Sequence, residues 1–210
     1  MKKLIQNVKN GKTELIDIPI PKPLYGKVLI RTTRSLISLG TEKMLVNFAK
    51  SNFISKAKQQ PEKVRMVLEK IQKDGLAPTI KAVKSKLDQP MSLGYCNVGV
   101  VEQVGEGVKS FKTGDRVISN GSHSEFVSIS ENLVHKIPDN VSDDDASFTV
   151  IGSIALQSVR LMNPTIGETI VVYGLGLIGL LTVQILKSNG CNVIGIDLDQ
   201  SKVNIAKSFG

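Results

Sequence analysis

The sequence of 210 residues carries 27 Lys and Arg against 19 Asp and Glu, and its net charge is +8. This length allows one large domain or two smaller ones, each able to bury a core. No apolar stretch is long enough to span a bilayer, the N-terminus lacks the apolar core of a signal peptide, and Cys96 and Cys191 form no closely spaced pair. These features argue against a membrane-spanning, secreted or disulfide-stapled protein, so we expect a cytoplasmic protein with two buried free thiols.

Short alternating or β-branched runs, separated by Pro and Gly, occupy residues 1 to about 41 and return from residue 93 to residue 138. The runs are "ELIDIPI", "KVLIRTTRSLIS", "VGVVEQVG", "DRVISN", "SEFVSIS" and "NLVHKIP". Such runs are typical of strands joined by turns. Together they predict a small β domain over residues 1–140.

A basic helical insertion, residues 43–90, is predicted to interrupt this β domain. It holds 11 Lys and Arg against 4 Asp and Glu, which accounts for +7 of the chain's +8. Pro61 is placed as a first-turn residue of a helix and Gly75 as its stop. Between them, apolar residues recur at helical spacing at Val64, Val67, Leu68 and Ile71. We expect this apolar stripe to be buried against another part of the protein.

From residue 141 to residue 210 the pattern is that of a helix followed by a βαβα unit. Ser142 is a predicted N-cap, the acidic run after it suits a helix N-terminus, and the helix is expected to continue from Ala146 to Met162. The segment "ETIVVY" is predicted as a fully buried parallel strand. After it come a glycine turn, a helix over "LIGLLTVQILKSNG", a strand over "NVIGID" and a helix over "QSKVNIAKSFG".

The glycine turn lies in "VVYGLGLIGLLTVQ" and fits a dinucleotide. Gly174 can make the tight turn out of the strand, Gly176 lets backbone amides approach a pyrophosphate, and Gly179 lets the helix pack closely on the strand. Leu177 and Ile178 begin the helix, whose positive end would face the phosphates. A glycine motif of this kind is weak by itself, and a plain tight turn is the alternative.

Asp197 strengthens the dinucleotide interpretation, because an acidic residue is expected where the second strand ends. Its carboxylate would accept hydrogen bonds from the adenosine ribose. The same charge would repel a 2′-phosphate, so NAD is expected in preference to NADP.

Four segments resemble, in order, the medium-chain dehydrogenase/reductase family. They are "LGTE", "LGYCNVGVVEQVGEGVKSFKTGDRV", "SHSEFVSISENLVHKIPDNVS" and "GETIVVYGLGLIGLLTVQILKSNGCNVIGIDLD". The resemblance implies a β + α/β fold, in which a GroES-like β domain with a helical insertion carries the substrate cleft and a Rossmann domain binds the nicotinamide nucleotide. It implies an oxidoreductase that transfers hydride between NAD and an alcohol or carbonyl substrate. The insertion further resembles that of the dehydrogenase-like half of two-domain bacterial oxidoreductases of sugar metabolism.

The positions of the family's zinc ligands hold residues that suit zinc poorly. They are Leu39, Tyr95 and Thr149; Leu cannot ligate zinc, and Tyr and Thr are unusual ligands. The cysteine-rich lobe of the zinc-dependent members is also missing from "GDRVISNGSHSEF". We therefore expect a zinc-independent member with no metal site.

Two hydroxyl groups are the candidates to replace the metal in stabilising the substrate oxygen. By the resemblance, Thr41 matches the hydroxyl residue that relays the substrate proton. Tyr95 replaces a ligand histidine and can donate a hydrogen bond to the substrate oxygen, with an ordinary cleft-wall aromatic as the alternative. His123 is expected in an exposed turn near the cleft rim, with a proton shuttle as the alternative.

Two further residues are matched to the cofactor by the same resemblance. Ser153 falls where relatives place a small hydroxyl residue against the nicotinamide, and Lys202 where a lysine approaches the adenosine ribose. Ser153 can instead bond back to a carbonyl one turn earlier in its helix.

The expected partner is a small-molecule substrate, with neither nucleic acid nor a membrane. The lysines of the insertion are expected to face an anionic sugar or sugar nucleotide, and a plain surface addition is the alternative. Nucleic acid is disfavoured because Phe48 and Phe53 are the only aromatic residues of the insertion.

A Rossmann domain needs about six parallel strands, of which two precede Gly210. We therefore expect the N-terminal part of a longer oxidoreductase that forms a homo-oligomer in its full-length form. The alternative function is that of an inactive or partner-dependent fragment that binds other molecules through its basic insertion.

Overall fold

The computed structural model describes residues 1–8 and 10–210 and divides them into two compact units, Met1–Lys136 and Ile137–Gly210. This boundary lies close to the one expected after residue 140. Some side chains of the helical insertion lie outside the described part, namely those of Phe53, Ile54, Lys84, Lys86, Leu87 and Asp88. The predictions that counted Phe53 among the few aromatic residues of the insertion, and Lys84, Lys86 and Asp88 among its charges, therefore concern side chains outside the described part.

The first unit contains an antiparallel five-stranded sheet in the order β7-β3-β5-β6-β8 and a smaller sheet in the order β2-β1-β4. The strands are β1 (Lys2–Gln6), β2 (Thr13–Asp17), β3 (Lys27–Ser35), β4 (Met91–Ser92), β5 (Asn97–Val104), β6 (Arg116–Ser119), β7 (Phe126–Ser130) and β8 (Val134–Lys136). A 3-10 helix, Glu131–Leu133, lies between β7 and β8. The strands predicted from the alternating runs are confirmed.

One core cluster of the first unit is made by residues on one side of the five-stranded sheet, and Leu29, on the other side of β3, is buried as well. Side chains alternate between the two faces of a strand, so Val28 and Ile30 of β3 share the inner face. Valines from the four other strands complete this cluster, namely Val101, Val117, Val127 and Val134. Burial of these β-branched side chains stabilises the sheet to which the candidate substrate residues are attached.

The helical insertion is present in the structure and begins slightly earlier than residue 43. Its helices are α1 (Leu39–Lys50), α2 (Phe53–Gln59), α3 (Pro61–Asp74) and α4 (Leu76–Asp88). Pro61 is the first residue of α3, and Gly75 ends it with φ +84°, as the sequence predicted. The Lys56 ammonium donates to the Val8 carbonyl at 2.6 Å, which ties α2 to the chain after β1.

The expectation that the stripe on α3 is buried is wrong for this structure. Leu68 is 57% exposed and Val64 is also exposed, while Val67 and Ile71 are half-buried. Helix α3 packs against α4 and, less extensively, against α2, and these neighbours leave Val64 and Leu68 of the apolar stripe exposed. A helical period in the sequence identifies such a stripe but does not say what covers it.

The second unit consists of four helices and two parallel strands. They are α5 (Asp143–Ala146), α6 (Thr149–Met162), β9 (Thr169–Tyr173), α7 (Leu177–Ser188), β10 (Asn192–Ile196) and α8 (Gln200–Lys207). The Ser142 hydroxyl accepts the Asp145 N–H at 3.0 Å, which confirms the predicted cap. The predicted unbroken helix from Ala146 is wrong, because the Phe148 N–H bonds the Asp145 carbonyl in a tighter i to i−3 turn that ends α5.

Strand β9 is parallel to β10 but is not fully buried, contrary to expectation. Its Val172 packs with residues of α6 and α7 on one face of the sheet, in the cluster of Val159, Val172, Leu175, Val183, Leu186 and Cys191. On the opposite face Val171 is 57% and Tyr173 is 83% exposed. The described helices of this unit cover one face of its sheet.

Cys96 and Cys191 are buried cysteines that form no disulfide bond, as predicted. Within the part of the chain that the structure describes, no helix combines the length and apolar character needed to cross a membrane.

We predict that Ile30→Ala and Leu68→Ala have very different effects on stability. Ile30 is fully buried, so its truncation should lower the free energy of unfolding by about 2–5 kcal/mol through lost burial and a residual cavity. Leu68 is largely exposed, and its truncation should change that free energy by less than about 0.5 kcal/mol. Urea denaturation followed by circular dichroism measures both. Similar losses for the two variants would show that the stripe on α3 is covered in solution.

Candidate functional site

The glycine turn of the second unit joins β9 to α7. Gly174 has φ +91°, in the left-handed region that favours glycine, and its N–H donates to the Ile196 carbonyl at 2.7 Å. A Cβ at Gly179 would stand 1.9 Å from the Gly174 carbonyl oxygen. The turn therefore requires glycine at both ends, once for conformation and once for close packing.

Gly176 has a different role, since a Cβ added there would meet no atom within 4 Å. It is the N-cap of α7 and provides no side-chain cap for the helix. The first N–H groups of a helix have no partner within the helix, so those at Leu177 and Ile178 are suited to an anionic ligand. The open space beside Gly176 and the N-terminus of α7 fit a dinucleotide phosphate.

The Asp197 carboxylate closes this turn against the end of β10. Its Oδ2 accepts the Leu175 N–H at 2.7 Å, and its Oδ1 accepts the Asp199 N–H at 2.8 Å. The Lys202 ammonium lies 3.7 Å from Oδ1. The structure thus brings Asp197, Lys202 and the glycine turn together, as the dinucleotide interpretation requires.

Hydrogen bonding determines the ionisation of the two acidic residues that flank this turn. The backbone N–H of Asp199, then that of Leu175, hold the pKa of Asp197 below its ordinary value; the Lys202 charge contributes in the same direction and desolvation opposes it. The Ser201 hydroxyl and N–H lower the pKa of Asp199, the N-cap residue of α8. Both carboxylates are therefore charged at neutral pH.

Ser153 lies exposed on α6, and its hydroxyl donates to the Val150 carbonyl at 2.7 Å. This is the back-bonding alternative that the sequence left open. A hydroxyl that donates in this way keeps its lone pairs available as acceptors. The contact of Ser153 with a nicotinamide stays a prediction.

The two predicted catalytic hydroxyls come together in the first unit. The Tyr95 hydroxyl donates to the Thr41 hydroxyl oxygen at 3.4 Å, although the residues are 54 positions apart in sequence. Thr41 is exposed in the first turn of α1, and Tyr95 is half-buried after β4. Their catalytic roles stay predictions, but the pair can address a single substrate oxygen.

The three positions that zinc-dependent relatives use for ligands are distributed over both units. Leu39 begins α1 and Tyr95 follows β4, whereas Thr149 begins α6 in the second unit. Among residues 1–8 and 10–210, no group of three or more His, Cys, Asp or Glu side chains is arranged to hold a metal ion. Independence from zinc stays a prediction.

A buried histidine beside the hydroxyl pair was not found from the sequence. His123 was expected in an exposed turn, but its side chain is only 10% exposed and its Nε2 lies 2.9 Å from Oε2 of Glu42, which is 8% exposed. Its Nδ1 lies 2.8 Å from the Ser35 hydroxyl. The expectation was wrong because Ser35 and Glu42 are 88 and 81 residues away in sequence. The available signal was a turn histidine in a chain with only two histidines.

Comparison with known proteins agrees with this architecture. The alcohol dehydrogenase GroES-like domain family matches residues 70–139. An alcohol dehydrogenase of Geobacillus stearothermophilus is 30% identical over 160 residues, covering 61% of this chain and 47% of that protein. The (R,R)-butanediol dehydrogenase of Bacillus subtilis is 29% identical over 149 residues, covering 58% of this chain and 43% of that protein. The chain thus spans about half the length of these relatives.

Among solved structures, a short chain alcohol dehydrogenase from Escherichia coli CFT073, complexed with NADH, is similar in fold. Its TM-score is 0.76 at 24% sequence identity, and the match covers 100% of this chain and 60% of that one. This likeness supports the predicted β + α/β fold, with its GroES-like domain followed by the first βαβα unit of a Rossmann domain, which is confirmed.

We predict that the Asp197 carboxyl titrates below the ordinary Asp value of about 3.9. Because its folded pKa is lowered, the stabilisation it provides is present above that ordinary value and is lost as pH falls through the folded pKa. A pH titration of the carboxyl carbon by NMR measures the midpoint. Lys202→Met should raise the midpoint only slightly, because the two backbone N–H groups remain. A midpoint at or above the ordinary value would contradict the observed hydrogen bonding.

Proposed function

We propose that this chain, which belongs to the medium-chain dehydrogenase/reductase family, provides the substrate residues and the first half of the cofactor site of an NAD-dependent oxidoreductase. The observation that carries the proposal is the glycine turn at 174–179, with Asp197 held against it by the Leu175 N–H. A turn that served only to reverse the chain would need neither the open space at Gly176 nor an ionised carboxylate at the end of β10.

The residues of the second unit support NAD rather than NADP. Asp197 is ionised, and each of its oxygens has a further lone pair beside the backbone bond that it already accepts. A ribose diol can donate to those lone pairs, whereas a 2′-phosphate would be repelled by the carboxylate. The similar Escherichia coli enzyme was solved with NADH and another protein of similar fold with NADPH, so the preference for NAD rests on the Asp197 carboxylate.

A bound nicotinamide would supply the acceptor or donor of hydride. The role of this chain's own side chains is to bind the substrate oxygen and to move its proton. Tyr95 donates a hydrogen bond to that oxygen, and Thr41 passes the proton between the oxygen and solvent. Both hydroxyls are neutral donors, so they perform part of the polarisation that a zinc ion provides in other members.

The proposed substrate is an alcohol or the corresponding carbonyl compound. The relatives with the names alcohol dehydrogenase and butanediol dehydrogenase support this class. An anionic sugar is the finer proposal, supported by the charge of +7 in residues 43–90.

A second candidate function is favoured by the exposed stripe on α3. Val64 and Leu68 are exposed on a helix that also carries Lys63 and Lys73 in solvent. A helix with an uncovered apolar side, inside an insertion whose charge is +7, is suited to an acidic partner with an apolar surface. In this case the insertion acts as an interaction module, and binding through α3 is independent of NAD.

We predict that Gly176→Ala weakens NADH binding by at least tenfold while the melting temperature is unchanged. The residue has φ −73°, which alanine adopts without strain, and the new methyl group occupies the space proposed for the phosphate. Fluorescence titration with NADH measures the affinity of the 210-residue chain. Gly152→Ala is the matched control, because a Cβ there also meets no atom and lies on α6. Unchanged NADH affinity in Gly176→Ala would contradict the proposed cofactor site.

We predict that Asp197→Ala weakens NAD binding more than NADP binding. The change removes a ribose partner and a charge that repels the 2′-phosphate. Calorimetric titration with each nucleotide gives the ratio of the two dissociation constants. Asp197→Asn is the companion variant, since it removes the charge but keeps an acceptor toward Leu175. Equal losses for both nucleotides would show that the carboxylate only supports the turn.

We predict that the purified chain contains far less than one zinc ion per molecule and that a chelator leaves its melting temperature unchanged. Leu39 has no ligand atom in its side chain, and metal binding would otherwise contribute to folding. Elemental analysis and thermal denaturation with and without EDTA measure both quantities. One tightly bound zinc ion per chain would overturn the interpretation of Leu39, Tyr95 and Thr149.

A further inference from the structure

The Glu42 carboxylate uses both of its oxygens inside the first unit. Its Oε1 accepts the Ser38 N–H at 2.9 Å, while the Glu42 N–H donates to the Ser38 carbonyl at 2.9 Å. These reciprocal bonds hold the first turn of α1, to which Thr41 belongs. Its Oε2 is left to face His123, and an ionised carboxylate can only accept. The hydrogen between Glu42 and His123 must therefore lie on Nε2 of the ring.

The tautomer of His123 follows from this requirement. With the proton on Nε2, the neutral ring has an acceptor at Nδ1, which faces the Ser35 hydroxyl at 2.8 Å. Ser35 then donates to His123, and His123 donates to Glu42, so each of these two contacts pairs a donor with an acceptor. The other neutral tautomer would set the unprotonated Nε2 against the carboxylate oxygen, and because both side chains are nearly buried, this pairing of two acceptors would be costly.

The backbone of His123 also holds the segment that carries Tyr95. The His123 N–H donates to the Leu93 carbonyl at 2.8 Å, and its carbonyl accepts the Leu4 N–H at 3.0 Å. Gly94 has φ +86°, and a Cβ there would stand 2.6 Å from Cγ of the His123 ring. The ring thus lies directly against the residue that precedes Tyr95.

We propose that the hydrogen-bonded series Ser35–His123–Glu42 is a positioning device that holds the Thr41 and Tyr95 hydroxyls together, with His123 as a positioning residue in the Nε2–H form. The inference rests on the proposed function only in one respect, namely that the Thr41 and Tyr95 hydroxyls act on the substrate oxygen. Glu42 is next to Thr41 in sequence, Gly94 is next to Tyr95, and the ring of His123 touches both Glu42 and Gly94. The imidazole is therefore the link between the two sides of the hydroxyl pair.

The tautomer is tested by NMR of the full 210-residue chain. The sequence has two histidines, so long-range correlations of ring protons to ring nitrogens are readily assigned with His135→Leu, a variant at an exposed position. The expected result is a protonated Nε2 and an unprotonated Nδ1 at His123. Glu42→Gln has nearly the same shape but presents an amide donor, so it should move the proton to Nδ1. A wild-type ring protonated on Nδ1 alone would overturn the proposal.

The positioning role is tested by labelling the tyrosine ring carbon that bears the hydroxyl. The chain has three tyrosines, and Tyr95→Phe identifies the signal of Tyr95. Thr41→Val removes the hydroxyl partner and sets the scale of the chemical-shift change. His123→Leu should produce at least half of that change, His123→Gln a smaller one because an N–H toward Glu42 is retained, and His135→Leu none. Should His123→Leu fail to fold, Glu42→Gln provides the same measurement.

NADH titration separates this inference from the proposed function. His123→Leu should bind NADH as the wild-type chain does, since the proposed cofactor residues lie in the second unit. If the wild-type chain fails to bind NADH, the proposed function fails while the NMR results still stand. A Tyr95 signal that does not move in any folded His123 or Glu42 variant would overturn the positioning role, whatever the NADH affinity.

Discussion

The Asp197 carboxylate accepts backbone N–H groups from two segments, Leu175 in the glycine turn and Asp199 after β10. These bonds join the turn to the end of the second strand and keep the carboxylate ionised. In the first unit the Glu42 carboxylate likewise accepts a backbone N–H, that of Ser38, and its second oxygen meets His123. In both units one acidic side chain fixes backbone geometry and electrostatics at the same place, so the candidate sites depend on charge-assisted bonds to the main chain.

Close backbone approach is the second constraint on both sites. Gly179 lies against the Gly174 carbonyl, and Gly94 lies against the His123 ring, each at a distance that excludes a Cβ. Gly176 differs because its surroundings are empty. Two glycines are thus required by packing, whereas the third leaves space that a ligand can occupy.

Local pattern explains what the sequence could predict. The β-branched run "KVLIRTTRS" predicted β3, and Pro61 and Gly75 predicted the limits of α3. The turn at 174–179 was predictable because its residues are contiguous and its glycines stand at the spacing of a dinucleotide turn; conformation requires Gly174 and close packing requires Gly179. The pairing of Asp197 with Leu175 was expected only as proximity, since a sequence does not specify which oxygen accepts which N–H.

Contacts between distant segments explain what the sequence could not predict. His123 meets Ser35 and Glu42 across 88 and 81 residues, so no local signal marked its burial. Burial of Val64 and Leu68 was inferred from helical period alone, and burial of β9 from its apolar composition. Both inferences failed for the same reason. Amphipathic or apolar character shows that a surface is suited to burial, but it does not show which element packs against that surface.

The length of the Tyr95 to Thr41 hydrogen bond bears on how the pair would work without a metal. At 3.4 Å it is well beyond the usual 2.7–2.8 Å of an O–H···O bond, so it is weak. Tyr95 therefore loses little when its hydroxyl turns to a better acceptor. A substrate oxygen that gains negative charge is such an acceptor, because charge-assisted hydrogen bonds are about twice as strong as neutral ones. In the proposed role, a bond from Tyr95 to the substrate would strengthen as charge develops on the oxygen, which is the condition for stabilising a transition state more than the ground state.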